Sequence, residues 1–315
     1  MTAVVDVVTG AFSYSGAAIA RQLQRTRGHR VRTLTGHPHR APAGNEIDVH
    51  PLDFTDPTAL ARSMNGAQTL YNTYWVRFPH HRCDHQVAVA NTLTLFDAAA
   101  RAGVQRIVHI SITHASPTSP YSYFRGKAEV EQGLAALGIP YAIARPATLF
   151  GAGGVLINNI AWLLRHLPVF AIGGRGDYPI RGIHVNDLAS LCVDLGARSD
   201  SVVVDAVGPQ TLTFKELVQA VKSAVGSNAL IVPVPGALLR VMSRTMGMLL
   251  RDKLLTSAEY QAMVDGLATS DAPATGRTVM TDWIAEHGPE LGRVYANELN
   301  LHYRSPTPQA ARGAP

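Results

Sequence analysis

Short runs rich in β-branched residues alternate with longer amphipathic stretches through the first half of this 315-residue chain. That alternation restricts the architecture more than any other feature. The short runs are 4–9 (VVDVVT), 31–35 (VRTLT), 47–51 (IDVHP), 69–73 (TLYNT), 106–111 (RIVHIS) and 141–145 (YAIAR). Between them, residues 16–25, 57–64, 87–102 and 124–137 place apolar side chains at helical spacing, each stretch suited to cover one face of a sheet. Strands that return through helices run parallel and need both faces covered. The expected fold is α/β, a doubly wound parallel sheet of the Rossmann kind over residues 1–150.

The alternation loosens after Gly151. Residues 156–166 read as a helix, 202–207 as a strand and 214–225 as a helix. Beyond Pro233 the pattern is helical, with a capping box at Thr256-Ser-Ala-Glu259. Residues 151–304 are therefore expected to form a smaller, partly interleaved and mostly α-helical substrate or cap region. The segment 305–315 (SPTPQAARGAP) reads as a disordered tail. With 46% apolar residues and two cysteines, the composition excludes a disordered chain and a disulfide scaffold. No apolar run reaches the roughly 18 residues of a membrane-spanning helix, and no signal peptide is visible, so the expected compartment is the cytoplasm. The net charge of +5 is scattered rather than gathered into a stripe, and no nucleic-acid partner is expected.

Directly after the first strand comes Thr9-Gly-Ala-Phe-Ser-Tyr-Ser-Gly16, opening a helix. A glycine turn in that position is the context of a dinucleotide fingerprint. Gly10 permits the tight turn, Gly16 permits close helix-to-strand packing, and amide groups at the helix start can hold a pyrophosphate, with Phe12, Ser13 and Tyr14 lining the approach. Ser13 stands where a middle glycine is usual, which implies either a wider loop or a hydroxyl donated to phosphate. No carboxylate ends the second strand, where one would hold the ribose diol of NAD. Thr35, His37 and Arg40, with Arg32, instead offer partners for a 2′-phosphate, so NADP(H) is the preferred cofactor, with NAD possible. Asp53 and Phe54, after the third strand, sit where an adenine amino group is met. Thr55 and Asp56 are the better caps for the helix near Pro57. Thr73 and Tyr74 end the fourth strand, where such folds border their ligand crevice.

Tyr123 and Lys127 are one helical turn apart on one face. A nearby cation stabilises phenolate, so such a pair can exchange a proton with a carbonyl or alcohol oxygen. Upstream, Ser111 and Thr113 both offer a hydroxyl to orient a carbonyl, and the sequence does not choose between them.

Taken in order along residues 3–235, VTGAFSYSG, PLDFTDPTAL, RAGVQRIVHISI, YFRGKAEVE, ARPATLFG and GIHVNDLA resemble the short-chain dehydrogenase/reductases. Within them they resemble the atypical, NmrA-like branch that includes the NADPH-binding accessory subunit of respiratory complex I. The resemblance implies Tyr123 as general acid/base, Lys127 on the nicotinamide ribose, and Ser111 or Thr113 polarising the substrate. It also implies that the segment holding Pro146 and Thr148 borders the nicotinamide. Glu131, one turn beyond Lys127, reads either as a partner of Arg145 or another arginine behind the site or as a solvated helix residue. The function it implies is hydride transfer between NADP(H) and a small-molecule carbonyl or alcohol. Two alternatives stand beside it: a non-catalytic NADPH sensor or assembly factor, as some members of that branch are, and an NAD-dependent epimerase or dehydratase.

Lesser features have plainer readings. His80, His81, Cys83 and His85 crowd metal-ligating residue types together without a recognised spacing, so no metal site is expected. With Tyr74, Trp75 and Phe78, they read as the mouth of the substrate pocket. Cys192 reads as a buried small hydrophobe, and Asn186 or Asp187 as a helix cap. Residues 232–253 mix Arg240, Arg244, Arg251 and Lys253 with Leu, Val and Met. A cap helix suits them better than a helix lying on a membrane surface, because the polar face is narrow. The sequence leaves the oligomeric state open.

Overall fold

The computed structural model describes residues 4–79, 83–253 and 255–302. In chain order its elements begin β1 (Val5–Thr9), α1 (Tyr14–Arg27), β2 (Arg30–Thr35), β3 (Asp48–Pro51), α2 (Pro57–Arg62) and β4 (Ala67–Asn72). Then follow α3 (His85–Arg101), β5 (Arg106–Ile110), α4 (Ser122–Ala136), β6 (Tyr141–Pro146), β7 (Thr148–Phe150), α5 (Val155–His166), β8 (Val169–Gly173) and β9 (Pro179–Ile180). The remainder is β10 (Gly182–His184), α6 (Val185–Gly196), β11 (Val202–Ala206), β12 (Leu212–Thr213), α7 (Phe214–Ala224), β13 (Leu230–Val234), α8 (Gly236–Leu250), α9 (Ser257–Val264), α10 (Met280–His287) and α11 (Glu298–His302).

Seven strands form one sheet in the order β11-β6-β5-β4-β1-β2-β3, with every pairing parallel. The fold is thus α/β, Rossmann-like, with a helical C-terminal region. Adjacent residues on each strand serve opposite faces, as the pleat requires. Val8, Tyr71, Val108 and Ala142 pack with α1 and α6, while Val7, Leu70, Ile107 and Ile143 pack with α2, α3 and α4. Each such buried aliphatic side chain contributes roughly 1.5–3 kcal/mol. The strand order reverses between β1 and β4, and open α/β sheets bind ligands beyond the strand ends at such a reversal.

The described residues divide into two compact units. The first takes those up to Gly151, together with Arg181–Thr211 and Leu267–Val279. The second takes Ala152–Ile180, Leu212–Gly266 and the residues from Met280. In the second, β8 pairs parallel with β13, β9 pairs antiparallel with β12, and α7 opens on a capping box between Thr213 and Glu216. The box expected at Thr256 and Glu259 opens α9.

Two local expectations are corrected. Helix does not run throughout the C-terminal third, because residues 267–279 are irregular and tied to the first unit by polar contacts that a helix could not make. Arg181 donates to the carbonyls of Ser270 and Ala272, and Val207 O accepts from Thr275 N and Gly276 N. Nor is α6 capped by Asn186 or Asp187. The His184 ring accepts from Asn186 N, which frees the Asp187 carboxylate to accept from Arg277 N and Thr278 N. The segment 305–315 lies outside the described residues.

Candidate functional site

The glycine turn joins β1 to α1. Gly10 has φ +64°, and its amide donates to Leu34 O at 2.9 Å. A Cβ on Gly16 would lie 2.2 Å from Gly10 O, so the helix start rests directly on the turn and only glycine fits. Ser13 is the N-cap of α1, and its hydroxyl donates to Gly10 O at 2.6 Å. The hydroxyl therefore closes the turn from within, and neither a wider loop nor a free phosphate donor describes it. The first turn of α1 carries no acidic residue, and its leading amides have no acceptor inside the helix. These residues fit a dinucleotide pyrophosphate. Phe12 is half-buried beside them, and the buried Tyr14 hydroxyl has no hydrogen-bond partner.

Beneath the turn runs a buried polar chain. Thr9 Oγ1 donates to Asn72 Oδ1 at 3.1 Å and accepts from Thr73 N at 2.7 Å and Tyr74 N at 3.2 Å, while Thr73 Oγ1 donates to Thr9 O. The Asn72 amide meets His109 Nδ1 at 3.0 Å. Burial holds the His109 pKa well below the usual imidazole range, so this ring is neutral and serves as a fixed polar spacer. Sequence reasoning passed over Asn72 and His109. The available signal was a polar residue inside an otherwise apolar central strand.

At the ends of β4, β5 and β6 lies a cavity of about 190 Å³, lined among others by Thr73, Trp75, Ser111, Tyr123, Lys127 and Pro146. Tyr123 stands on the first turn of α4, with Lys127 one turn on. Its ring is met edge-on by Trp75 at 5.7 Å and His85 at 5.5 Å between centroids. Lys127 Nζ donates to Ile110 O at 2.8 Å and lies 4.3 Å from the Trp75 ring. Desolvation lowers its pKa to about 7, against the partial support of Glu131. Glu131 pairs with Arg145 in a two-pronged ion pair, Arg145 Nε donating to Oε1 at 2.9 Å. Ser111 Oγ faces the cavity, buried and without a hydrogen-bond partner, whereas Thr113 Oγ1 donates to Leu267 O at 3.3 Å. Of the two candidate hydroxyls, Ser111 is the one available to a ligand.

The remaining expected residues are not among those that line this cavity. Thr35 is buried and accepts from His37 N, and Arg40 closes a single 3-10 turn, half-exposed. Arg32 is committed to Asp48 and to the carbonyls of Ser63 and Asn65, which removes it from the 2′-phosphate candidates. Asp53 accepts from Thr55 N and Thr55 Oγ1, and Asp56 caps α2 as expected. Phe54 packs on Tyr74, whose hydroxyl accepts from Asn91. Thr148 lies in β7, paired with Gly182. His80 and His81 lie outside the described residues. His85 Nδ1 meets Ser122 Oγ at 2.8 Å, and the described residues contain no cluster of three or more metal-ligating side chains. Cys192 is buried.

The Lys127 shift has a consequence for stability. Between about pH 7 and the ordinary lysine value of 10.5, the unfolded chain binds the Lys127 proton more tightly than the folded one. Stability of the nucleotide-free protein should therefore rise with pH across that window, by an amount on the order of a few kcal/mol. Thermal melts of the parent and of Lys127→Met check this, because the variant should lose most of the slope. Equal slopes would mean that Lys127 is not desolvated.

Residues 10–155 match the family model described as NAD(P)H-binding. The first half of the chain is an NAD(P)H-binding domain. An uncharacterised protein of Mycobacterium tuberculosis (strain ATCC 25618 / H37Rv) is 30% identical over 216 residues, which is 68% of this chain but 23% of that relative. The chain thus spans about a quarter of that relative's length. The mitochondrial NADH-ubiquinone oxidoreductase 40 kDa subunit of Neurospora crassa is 22% identical over 213 residues, covering 67% of this chain and 56% of the subunit. Among solved structures, the triphenylmethane reductase of Citrobacter sp. superposes with TM-score 0.75 at 19% identity, over 91% of this chain and all of that one. The NADPH-dependent quinone oxidoreductase of Escherichia coli, complexed with NADPH, superposes with TM-score 0.72 at 21% identity, over 91% and 99%. These likenesses support the fold of the NAD(P)H-binding domain. Among the described residues no helix is long and apolar enough to cross a membrane.

Proposed function

We propose that the protein is an NADPH-dependent reductase that delivers hydride to a carbonyl or similarly polarised carbon of a small molecule. The observation that carries this reading is the cavity lined by Tyr123, Lys127 and Ser111 at the strand ends next to the glycine turn. NADPH, when bound, supplies the hydride. The Gly10–Gly16 turn would hold its pyrophosphate, and Thr73 and Pro146 would meet its nicotinamide end. The unpartnered Ser111 hydroxyl donates to the substrate oxygen, and Tyr123 passes its phenolic proton to that oxygen as negative charge builds there. Lys127, when protonated, stabilises the phenolate left behind. Glu131 and Arg145, paired at the back of α4, fix the helix that carries both groups.

The preference for NADPH over NADH rests on the end of β2 at Thr35, which runs into Gly36-His37 without a carboxylate and then to the half-exposed Arg40. Calorimetric titration should show NADPH binding at least about tenfold tighter than NADH, or 1.4 kcal/mol. Arg40→Ala should erase most of that difference and leave NADH binding unchanged. Equal affinities in the parent would sink the preference.

A second reading is favoured by one observation. The Lys127 side chain already donates to Ile110 O and rests on the Trp75 face, which leaves it fewer N–H groups to offer a ribose. A protein that holds NADPH in this state without turning it over would be a sensor. It would bind the nucleotide as above and leave it unoxidised whatever acceptor is offered.

A further inference from the structure

The second unit presents an apolar surface that the nucleotide chemistry does not use. Within α8, Leu238, Val241, Met242, Met248 and Leu249 are between 41% and 77% exposed. They fall at i, i+3, i+4, i+10 and i+11, which places them on one face of the helix. Leu239, Met246, Gly247 and Leu250 are less exposed and lie on another face. Arg240, Arg244 and Arg251, at i+2, i+6 and i+13, form a third stripe between the two. A helix held by one face leaves its second apolar face without a cover, and a contiguous exposed apolar patch edged by charge marks an interaction surface.

We infer that this face of α8 docks on an anionic membrane surface. Charge complementarity selects this partner. Residues 236–253 contain Arg240, Arg244, Arg251 and Lys253 and one acid, Asp252. That acid is turned inward, accepting from the Tyr295 hydroxyl and from the amides of Glu298 and Leu299. No ion pair of Arg240 or Arg244 occurs among the described residues, so neither charge is neutralised by a carboxylate there. A second copy of this chain, itself of net charge +5, would bring the same arginine stripe against this one and be repelled. An anionic lipid surface answers both features, taking the apolar side chains into the acyl boundary and pairing the arginines with phosphate and carboxylate headgroups. With only two of the helix's residues charged and Arg251 at its C-cap, the polar stripe is narrow for a free amphipathic peptide. Here α8 is already folded and oriented by its inner face, so the helix does not have to be ordered by the membrane.

The test is flotation of the full chain with vesicles of phosphatidylcholine alone and of phosphatidylcholine with phosphatidylserine. The protein should float with the phosphatidylserine vesicles and not with the neutral ones, and raised salt should release it. Val241→Asp/Leu249→Asp should abolish flotation, and Arg240→Glu/Arg244→Glu should lower the partition by about tenfold or more. All four positions are exposed, so both variants should keep the parent's melting temperature and NADPH affinity. Failure to float with either vesicle, or flotation that both variants leave unchanged, would overturn the inference. So would self-association of the parent, seen by sedimentation velocity and lost in Val241→Asp/Leu249→Asp, which would make this face an interface between copies.

Discussion

Gly16→Ala should abolish measurable NADPH binding and destabilise the first unit. The added Cβ would sit 2.2 Å from Gly10 O, 2.7 Å from Gly10 C and 2.9 Å from Thr9 O. All three are backbone atoms of the turn, and no side-chain rotation relieves the overlap. Relief requires α1 to move off β1, which breaks the 2.6 Å bond from Ser13 to Gly10 O and turns the leading amides away from the pyrophosphate. Overpacking of this kind costs about 1–3 kcal/mol, and contacts with backbone lie at the upper end. Circular dichroism melts and calorimetric titration read the two effects separately. Ser13→Gly is the informative companion: it removes the closing hydroxyl and keeps the helix contact, so it should retain nucleotide binding. An alanine variant that binds NADPH as the parent does would refute this account of the turn.

Tyr123→Phe should lower kcat by about 10²- to 10⁴-fold, the range lost when a positioned proton donor is removed, or roughly 3–5 kcal/mol of barrier. The substitution deletes the hydroxyl and keeps the ring that Trp75 and His85 meet edge-on, so the cavity wall and the start of α4 should persist. Affinity for NADPH should change little, because the phenol acts on the substrate oxygen. That split, kcat lost and cofactor affinity kept, separates a proton donor from a residue that merely shapes the cavity.

The parts of this fold that are local in sequence were legible from it. The β-branched runs of β1 to β6 and the amphipathic α1 to α4 follow from periodicity alone. The glycine turn and the Tyr123–Lys127 spacing depend on residues within one turn of each other. Contacts made by residues distant along the chain carried no such mark. Nothing in 267–279 announces that Arg181, Asp187 and Val207 will engage its backbone. Nothing in the short run after β4 announces that Trp75 will cap Lys127, roughly fifty residues on. The choice of Ser111 over Thr113 was likewise decided by a distant group, Leu267 O, which takes up the threonine hydroxyl. Arg32 reads from the sequence as one of several alternatives for the phosphate, because Asp48, Ser63 and Asn65 converge on it only in three dimensions.

The most direct test of the proposed reductase is acceptor-dependent loss of nicotinamide absorbance at saturating NADPH. It is measured across aldehydes, ketones and quinones for the parent and Tyr123→Phe side by side. The reductase account predicts saturable NADPH oxidation by the parent with one acceptor class, and a loss of at least about a hundredfold in the variant. Oxidation at equal rates by both proteins would contradict it, as would tight NADPH binding with no oxidation by any acceptor.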